Sequence, residues 1–300
     1  MHKAGVVAVV GKPNVGKSTL VNSVVGQKVS IVSDKVQTTR KRVLGIATTD
    51  DYQIVFADTP GVHKPLHKLG ATLNEAARRA LFDVDVILVV VDCSKMPAPE
   101  DERVAALLPS SGIFHDSAKV PVVLCLNKMD KLKADDVERN YEAYCELFKT
   151  SKTVMTSFTK QKNIDILVGL IVQELPENPN YFPDDEYTDQ PMRFIAAEIV
   201  REKALANTSH EVPHAVATTV ETWEEAPNLV RIGLTILVER DGQKAILIGK
   251  GGSMLKKIGS EARKEIEEMV GKKVFLELFV KVREDWRESV RWLKELDYLG

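Results

Sequence analysis

The stretch GKPNVGKS, Gly11–Ser18, follows the apolar run VVAVV and precedes a segment with helical spacing, and its residues fit the pattern GxxxxGK(S/T). Holding a polyphosphate takes backbone N–H groups at close range, where side chains obstruct. Gly11 and Gly16 suit that need, with Lys12, Pro13, Asn14 and Val15 carrying the loop between them. The first helical turn, Lys17 through Thr19, adds free N–H donors and the positive end of a dipole. The Lys17 ammonium can reach β- and γ-phosphate oxygens, and the Ser18 hydroxyl can ligate Mg²⁺. A plain structural turn would not need this lysine, this serine, the strand and the helix together. The corner reads as a phosphate cradle.

A second cluster selects the base. NKMD, Asn127–Asp130, directly follows the apolar run VPVVLCL. The Asp130 carboxylate can accept from the two adjacent N–H groups on the Watson–Crick edge of guanine. Adenine offers no such pair and would leave the carboxylate desolvated and unpaired, the kind of mismatch that discriminates strongly. Asn127 would tie loops together and touch the purine edge, while the Lys128 stem covers the ring face. Alone, this tetrapeptide would pass for a polar capping turn; downstream of a phosphate cradle it reads as a base site. DTPG, Asp58–Gly61, supplies a carboxylate for Mg²⁺, through water, and an N–H at Gly61 for the γ-phosphate. In VQTTRKR, between the first helix and the next strand, Thr39 rather than Thr38 is the expected Mg²⁺ ligand. In MTSF the Ser157 backbone N–H is expected on the guanine carbonyl oxygen. The reacting set is thus Lys17, Thr39 and Gly61, and the metal set Ser18, Thr39 and Asp58. His63 and His67 have a spacing seen in zinc sites, but Pro65 lies between them and no third ligand is near, so zinc is not expected.

These residues need a scaffold that delivers them to one edge. Short β-branched runs alternate with helical patterns from Val6 to about Glu174: VVAVV, VLGIATT, YQIVFAD, VDVILVVVD, VPVVLCLN and KTVMTS are the strands. Near-continuous apolar strands separated by helices imply a mostly parallel sheet covered on both faces. VLGIATT and YQIVFAD are separated by only two aspartates, too few for a crossover, which predicts one antiparallel hairpin. The stretch LPENPNYFPDDEYTDQP then breaks the pattern, and residues 176–191 read as a linker between domains 1–175 and 192–300. Beyond it, LVRIGLTILV and VFLELFVKV alternate strictly, the mark of a sheet packed on one face in a smaller α+β domain.

Composition sets the remaining bounds. Three hundred residues allow two domains, and a net charge of -2 leaves any polyanion site to a local concentration of charge. Three cysteines without CxxC spacing suit a reducing compartment. No apolar run approaches the ~20 residues of a membrane helix. The expectation is a soluble protein inside the cell.

In this order GKPNVGKS, QTTR, DTPG and NKMD resemble a translation-factor-class P-loop GTPase. ILIGKGGSMLKKIGSEARKEIEEMV followed by VFLELFVKV resembles a KH domain of type II, with its GxxG loop at Gly249, Lys250, Gly251 and Gly252. The pair, with RFIAAEIVREK opening the second half and DWR near its end, resembles the bacterial Era GTPase family throughout almost the whole chain. The residues of the loop agree with that. Between Gln243 and Ser260 there are four lysines and no acid, although residues 191–300 carry 18 basic and 18 acidic side chains. Positive charge therefore gathers at Lys250, Lys256 and Lys257, where a nucleic-acid backbone would lie. Leu255, Ile258, Ala262, Ile266 and Met269 form the apolar stripe of the following helix.

The resemblance implies GTP/GDP and Mg²⁺ as ligands and the 3′ region of small-subunit ribosomal RNA as partner, with a role in assembling the small subunit. It also implies a cytoplasmic protein with a peripheral contact to the inner membrane. The position after DTPG, a water-orienting glutamine in well-known GTPases, is Val62, so slow turnover is expected. Asn14 resembles the asparagine of potassium-activated relatives, which adds K⁺ to the expected ligands. Two rival readings stand beside this. An ATP-dependent kinase would have no use for Asp130, and an RNA-binding scaffold would keep the second domain over a regulatory nucleotide site with little turnover.

Overall fold

The computed structural model describes residues 2–33, 35, 38–62, 67–108 and 120–298. The chain divides into two compact units. In the first, the strands are β1 (Lys3–Val10), β2 (Val43–Thr48), β3 (Tyr52–Asp58), β4 (Val86–Asp92), β5 (Val122–Asn127) and β6 (Thr153–Met155). They form one sheet in the order β2-β3-β1-β4-β5-β6. Every pairing is parallel except β2 with β3, the predicted hairpin, which sets Val43 opposite Asp58. The helices are α1 (Lys17–Val25), α2 (Lys68–Arg79), α3 (Pro99–Ala106), α4 (Val137–Phe148) and α5 (Ile164–Glu174).

The apolar runs are continuous because both sheet faces are covered. Val7 and Val9 join Leu20, Leu167 and Ile171 in one core, while Ala8 and Val10 join Ala77, Val104, Tyr144 and Phe148 in the other. Parallel strands sharing one polarity carry their functional ends to one edge. Gly11 leaves β1 there, Asp58 ends β3, and Asp92 and Asn127 end β4 and β5 in register.

The proline-rich stretch 176–191, expected to be a linker, is for most of its length part of this unit, which runs to Asp189. The Ala4 N–H donates to the Pro176 carbonyl, and Ile46 N–H to the Tyr187 carbonyl. The amide of Gln53, wholly buried on β3, accepts from the Tyr181 and Phe182 N–H groups at 2.8 and 3.0 Å and donates to the Phe182 carbonyl at 2.9 Å. Proline removes donors without removing acceptors, so such a stretch can dock by backbone hydrogen bonds with no apolar period to announce it.

The second unit contains α6 (Met192–Ala206), α7 (Val212–Ala215), β7 (Ala217–Glu225), β8 (Leu229–Val238), α8 (Asp241–Ile248), α9 (Ser253–Val270), β9 (Lys273–Val282) and α10 (Val290–Glu295). Its sheet runs β7-β8-β9, antiparallel then parallel. Val230, Ile232, Leu234, Ile236 and Val238 of β8 pack on Ile258, Ala262 and Ile266 of α9 and on Ile195, Ile199 and Val200 of α6. The Trp286 indole is fully buried and donates to the Ala215 carbonyl at 2.8 Å. Residues 31–33, 35, 38 and 67–69 also group with this unit. There the Glu202 carboxylate accepts from the Val32 N–H at 2.9 Å, and the Arg201 guanidinium, paired with Glu198, donates to the Thr38 carbonyl.

Candidate functional site

In the first unit the loop after β1 turns sharply into α1 at Gly16, whose φ of +109° would strain any side chain. A Cβ there would also lie 2.6 Å from Asn127 Nδ2. Asn127, from the end of β5, donates through that nitrogen to the Val15 carbonyl at 2.7 Å, so the base loop and the cradle are built against each other. Lys17 is buried, and its ammonium donates to the carbonyls of Gly11 at 3.0 Å and Lys12 at 3.1 Å. Burial pulls the Lys17 pKa down to about 8, with Asp58 pulling the other way. It therefore stays mostly protonated near neutral pH, and a polyphosphate in the loop would pull its pKa back up.

Ser18, Thr39 and Asp58, expected together at a metal, do converge. The Ser18 hydroxyl donates to Asp58 Oδ2 at 2.8 Å and lies 3.1 Å from the Thr39 hydroxyl. Asp58 Oδ1 is buried with no hydrogen-bond partner. Desolvation raises the Asp58 pKa, against the opposing pull of Lys17 and of the neighbouring hydroxyls. An orphaned carboxylate oxygen beside two hydroxyls is a hard-oxygen set with spare coordinating capacity, and it fits Mg²⁺. Gly61 sits hard against the cradle, where a Cβ would be 2.8 Å from the Pro13 nitrogen. The Val62 N–H donates to the Gly11 carbonyl at 3.3 Å, which ties the DTPG segment to the loop. His67 pairs with Glu288 at 2.8 Å, whereas His63 lies outside the described residues. Among the described residues no group of three His, Cys, Asp or Glu side chains could hold a metal ion.

At the base end Asp130 is exposed and accepts from the Ser157 hydroxyl at 2.5 Å. Sequence reasoning assigned Ser157 by its backbone N–H. That N–H donates to the Lys162 carbonyl at 3.3 Å, and it is the hydroxyl that meets Asp130. Phe158 N–H donates to Asn127 Oδ1 at 3.2 Å. The Lys128 ammonium donates to the Asn14 carbonyl at 2.7 Å and to Asp92 Oδ2 at 2.8 Å. Asp92 was not singled out from sequence. Burial opposes its ionisation, but hydrogen bonds from Lys128 and Ser94 outweigh that and lower its pKa. The one signal available was an acid closing an apolar strand that pairs in register with the strand ending in Asn127. Cys93 and Cys125 are buried thiols pushed up to about 12 by desolvation, so they remain protonated packing groups.

In the second unit Gly249 to Gly252 join α8 to α9, with Gly251 and Gly252 at φ +58° and +78°. Lys250, Lys256 and Lys257, in and just after this corner, are exposed, while Ile258, Ala262 and Ile266 of α9 are buried. The corner is therefore a bare, positively charged backbone shoulder, suited to a phosphodiester chain.

Known proteins carry the same two halves. A family described as 50S ribosome-binding GTPase matches residues 6–128, and the KH domain family matches residues 211–287. A crystal structure of a single-residue variant of Aquifex aeolicus Era, bound to GDP and AlF4⁻, is 40% identical with a TM-score of 0.92, covering 99% of this chain and 100% of its own. Era in complex with MgGDPNP and nucleotides 1506–1542 of 16S ribosomal RNA is also 40% identical, with a TM-score of 0.91 and full coverage of both chains. With its cradle, its base-reading loop and its basic glycine corner in the same order, and with this identity over its whole length, the chain belongs to the Era family of GTPases.

Proposed function

We propose that this protein is a GTP-hydrolysing switch that binds the single-stranded 3′ region of small-subunit ribosomal RNA through its KH unit and acts in assembly of the small subunit. One observation carries the switch. Thr39 belongs to the first unit, with its hydroxyl in the Ser18–Asp58 oxygen cluster, whereas the residue before it groups with the KH unit. A residue drawn to a γ-phosphate and its metal is thus one peptide bond from the unit that carries the RNA corner. Loops held by the third phosphate and released on hydrolysis are a recurring switching device.

In the reaction a water attacks the γ-phosphorus of GTP, the bond to the β,γ-bridging oxygen breaks, and GDP and phosphate leave. Lys17 and the loop amides neutralise charge developing on the β- and γ-oxygens, and Gly61 N–H faces the γ-phosphate. Ser18, Thr39 and Asp58 would hold Mg²⁺, which would supply further charge neutralisation. Val62 has no polar atom beyond its backbone, so the side chain after DTPG cannot orient the water. Turnover in the class's intrinsic range, roughly 10⁻⁴ to 10⁻² per second, follows. A K⁺ site at the phosphates rests on the resemblance of Asn14 to the asparagine of potassium-activated relatives. At equal ionic strength hydrolysis should be several-fold faster in K⁺ than in Na⁺; equal rates remove the K⁺ site.

The scaffold alternative is separated by one experiment. RNA affinity of the full chain is measured by fluorescence anisotropy with a 3′-end oligonucleotide, loaded with GDP or with a non-hydrolysable GTP analogue. A switch gives affinities several-fold apart, and a scaffold gives one value. Among the described residues no helix is long and apolar enough to cross a membrane. The reading puts the protein in the cytoplasm beside its RNA, and peripheral contact with the inner membrane rests on the family resemblance alone.

A further inference from the structure

Asp101 is not one of the residues that line the nucleotide site. It lies in the first turn of α3, is 1% exposed, and its Oδ2 is 2.6 Å from the Lys12 ammonium. The same oxygen accepts the Ala98 N–H at 2.9 Å, while Oδ1 is buried without a hydrogen-bond partner. A buried carboxylate with one oxygen unsatisfied is costly to keep, and a lone surface tether does not call for one. Its cation belongs to the second residue of the phosphate cradle.

The cradle has two edges, and the end of β4 and the first turn of α3 grip one each. On the base side Asp92 holds the Lys128 ammonium, which donates to the Asn14 carbonyl. On the other side Asp101 holds Lys12, whose carbonyl takes the Lys17 ammonium and whose neighbour Pro13 abuts Gly61. Gly11, one residue before, accepts the Val62 N–H. The Lys12 edge is therefore the edge against which the γ-phosphate-facing segment rests. Each carboxylate meets the cradle through a lysine.

We propose that Asp101 is a positioning residue for GTP hydrolysis, fixing through Lys12 the edge of the cradle that meets Gly61 and the γ-phosphate. This rests on the reading of the protein as a GTPase. It separates an effect on the third phosphate from an effect on nucleotide binding as a whole, which a merely structural ion pair would not do.

The test is Asp101→Asn, which keeps the size and the acceptor for the Ala98 N–H but removes the charge. Single-turnover hydrolysis should slow about tenfold, since small misplacements of reacting groups are amplified in rate. Affinity for a non-hydrolysable GTP analogue should fall several-fold while GDP affinity stays within about twofold. Lys12→Gln, on a partly exposed side chain, should reproduce the loss, and the double variant should be no worse than either single one, as for two residues acting as one unit. Should Asp101→Asn fail to fold, Lys12→Gln alone gives the same readout. Unchanged hydrolysis, equal falls in analogue and GDP affinity, or additive losses in the double variant would each overturn the proposal. A wild-type protein that does not hydrolyse GTP would instead remove the GTPase reading, and the analogue-to-GDP ratio of the variants would still decide the tether.

Discussion

Asp130→Asn lowers GTP affinity by roughly 10⁴-fold and gives the protein affinity for xanthosine triphosphate. The reason lies in the pairing edge. The Asp130 carboxylate has two acceptors for the adjacent ring and amino N–H groups of guanine. An asparagine keeps one acceptor and turns a donor toward the amino group, so one hydrogen bond is lost and two donors face each other. Sites built around hydrogen bonds reject mismatches by roughly 10⁴ to 10⁵. Xanthine carries a carbonyl where guanine carries the amino group, and the asparagine donor then has its partner. The substitution is local, because Asp130 is exposed and its protein partner is the Ser157 hydroxyl, which an amide oxygen can still accept. Thermal stability should therefore move by no more than about 0.5 kcal/mol. Competition against a fluorescent GDP analogue, with GTP, ATP and XTP as competitors, checks all of this. Retained GTP preference would mean that Asp130 does not read the base, and the guanine assignment would fall with it.

The features of this protein that could be read from its sequence are those in which spacing alone fixes chemistry. A phosphate cradle must be glycines, a lysine and a serine at set intervals between a strand and a helix, and Gly11–Ser18 satisfies that within eight letters. Continuous apolar runs identified the parallel strands because both faces of the sheet had to be covered, and a two-residue gap could only be a hairpin. What the sequence concealed depends on partners far along the chain. Asp92 and Asp101 look like any acids after a strand and at a helix start, and their roles appear only when β4 is folded beside the cradle. Gln53 gives no sign within YQIVFAD that it is wholly buried to receive the backbone of residues 181 and 182. With that partner hidden, a proline-rich stretch looked like a linker. For Ser157 the sequence suggested a backbone contact, but its N–H is taken up by a pairing with Lys162 that has no sequence signature, and its hydroxyl meets Asp130.

The RNA assignment rests on a different part of the chain, and a change made there leaves the nucleotide site intact. Converting the two central residues of the glycine corner to acids, Lys250→Asp with Gly251→Asp, should weaken binding of a 3′-end ribosomal RNA oligonucleotide at least about 100-fold at low salt. Together they remove one positive charge and add two negative ones where phosphates must approach, and counterion release is lost with the contact. A Cβ at Gly251 would meet nothing within 4 Å, so the new side chains occupy the space meant for the ligand rather than the packed core. Gly251 does sit at φ +58°, but aspartate is among the residues that tolerate the left-handed region, so the strain is modest. Raising the salt should narrow the gap between variant and wild type, because exposed charges are screened beyond about 10 Å at 0.1 M. GTP hydrolysis without RNA should match wild type, since the substitutions lie in the other unit. A variant that folds, hydrolyses GTP and still binds the oligonucleotide as wild type does would show that the RNA lies elsewhere on the chain, and the Lys250–Lys256–Lys257 shoulder would have to be read as ordinary solvated surface.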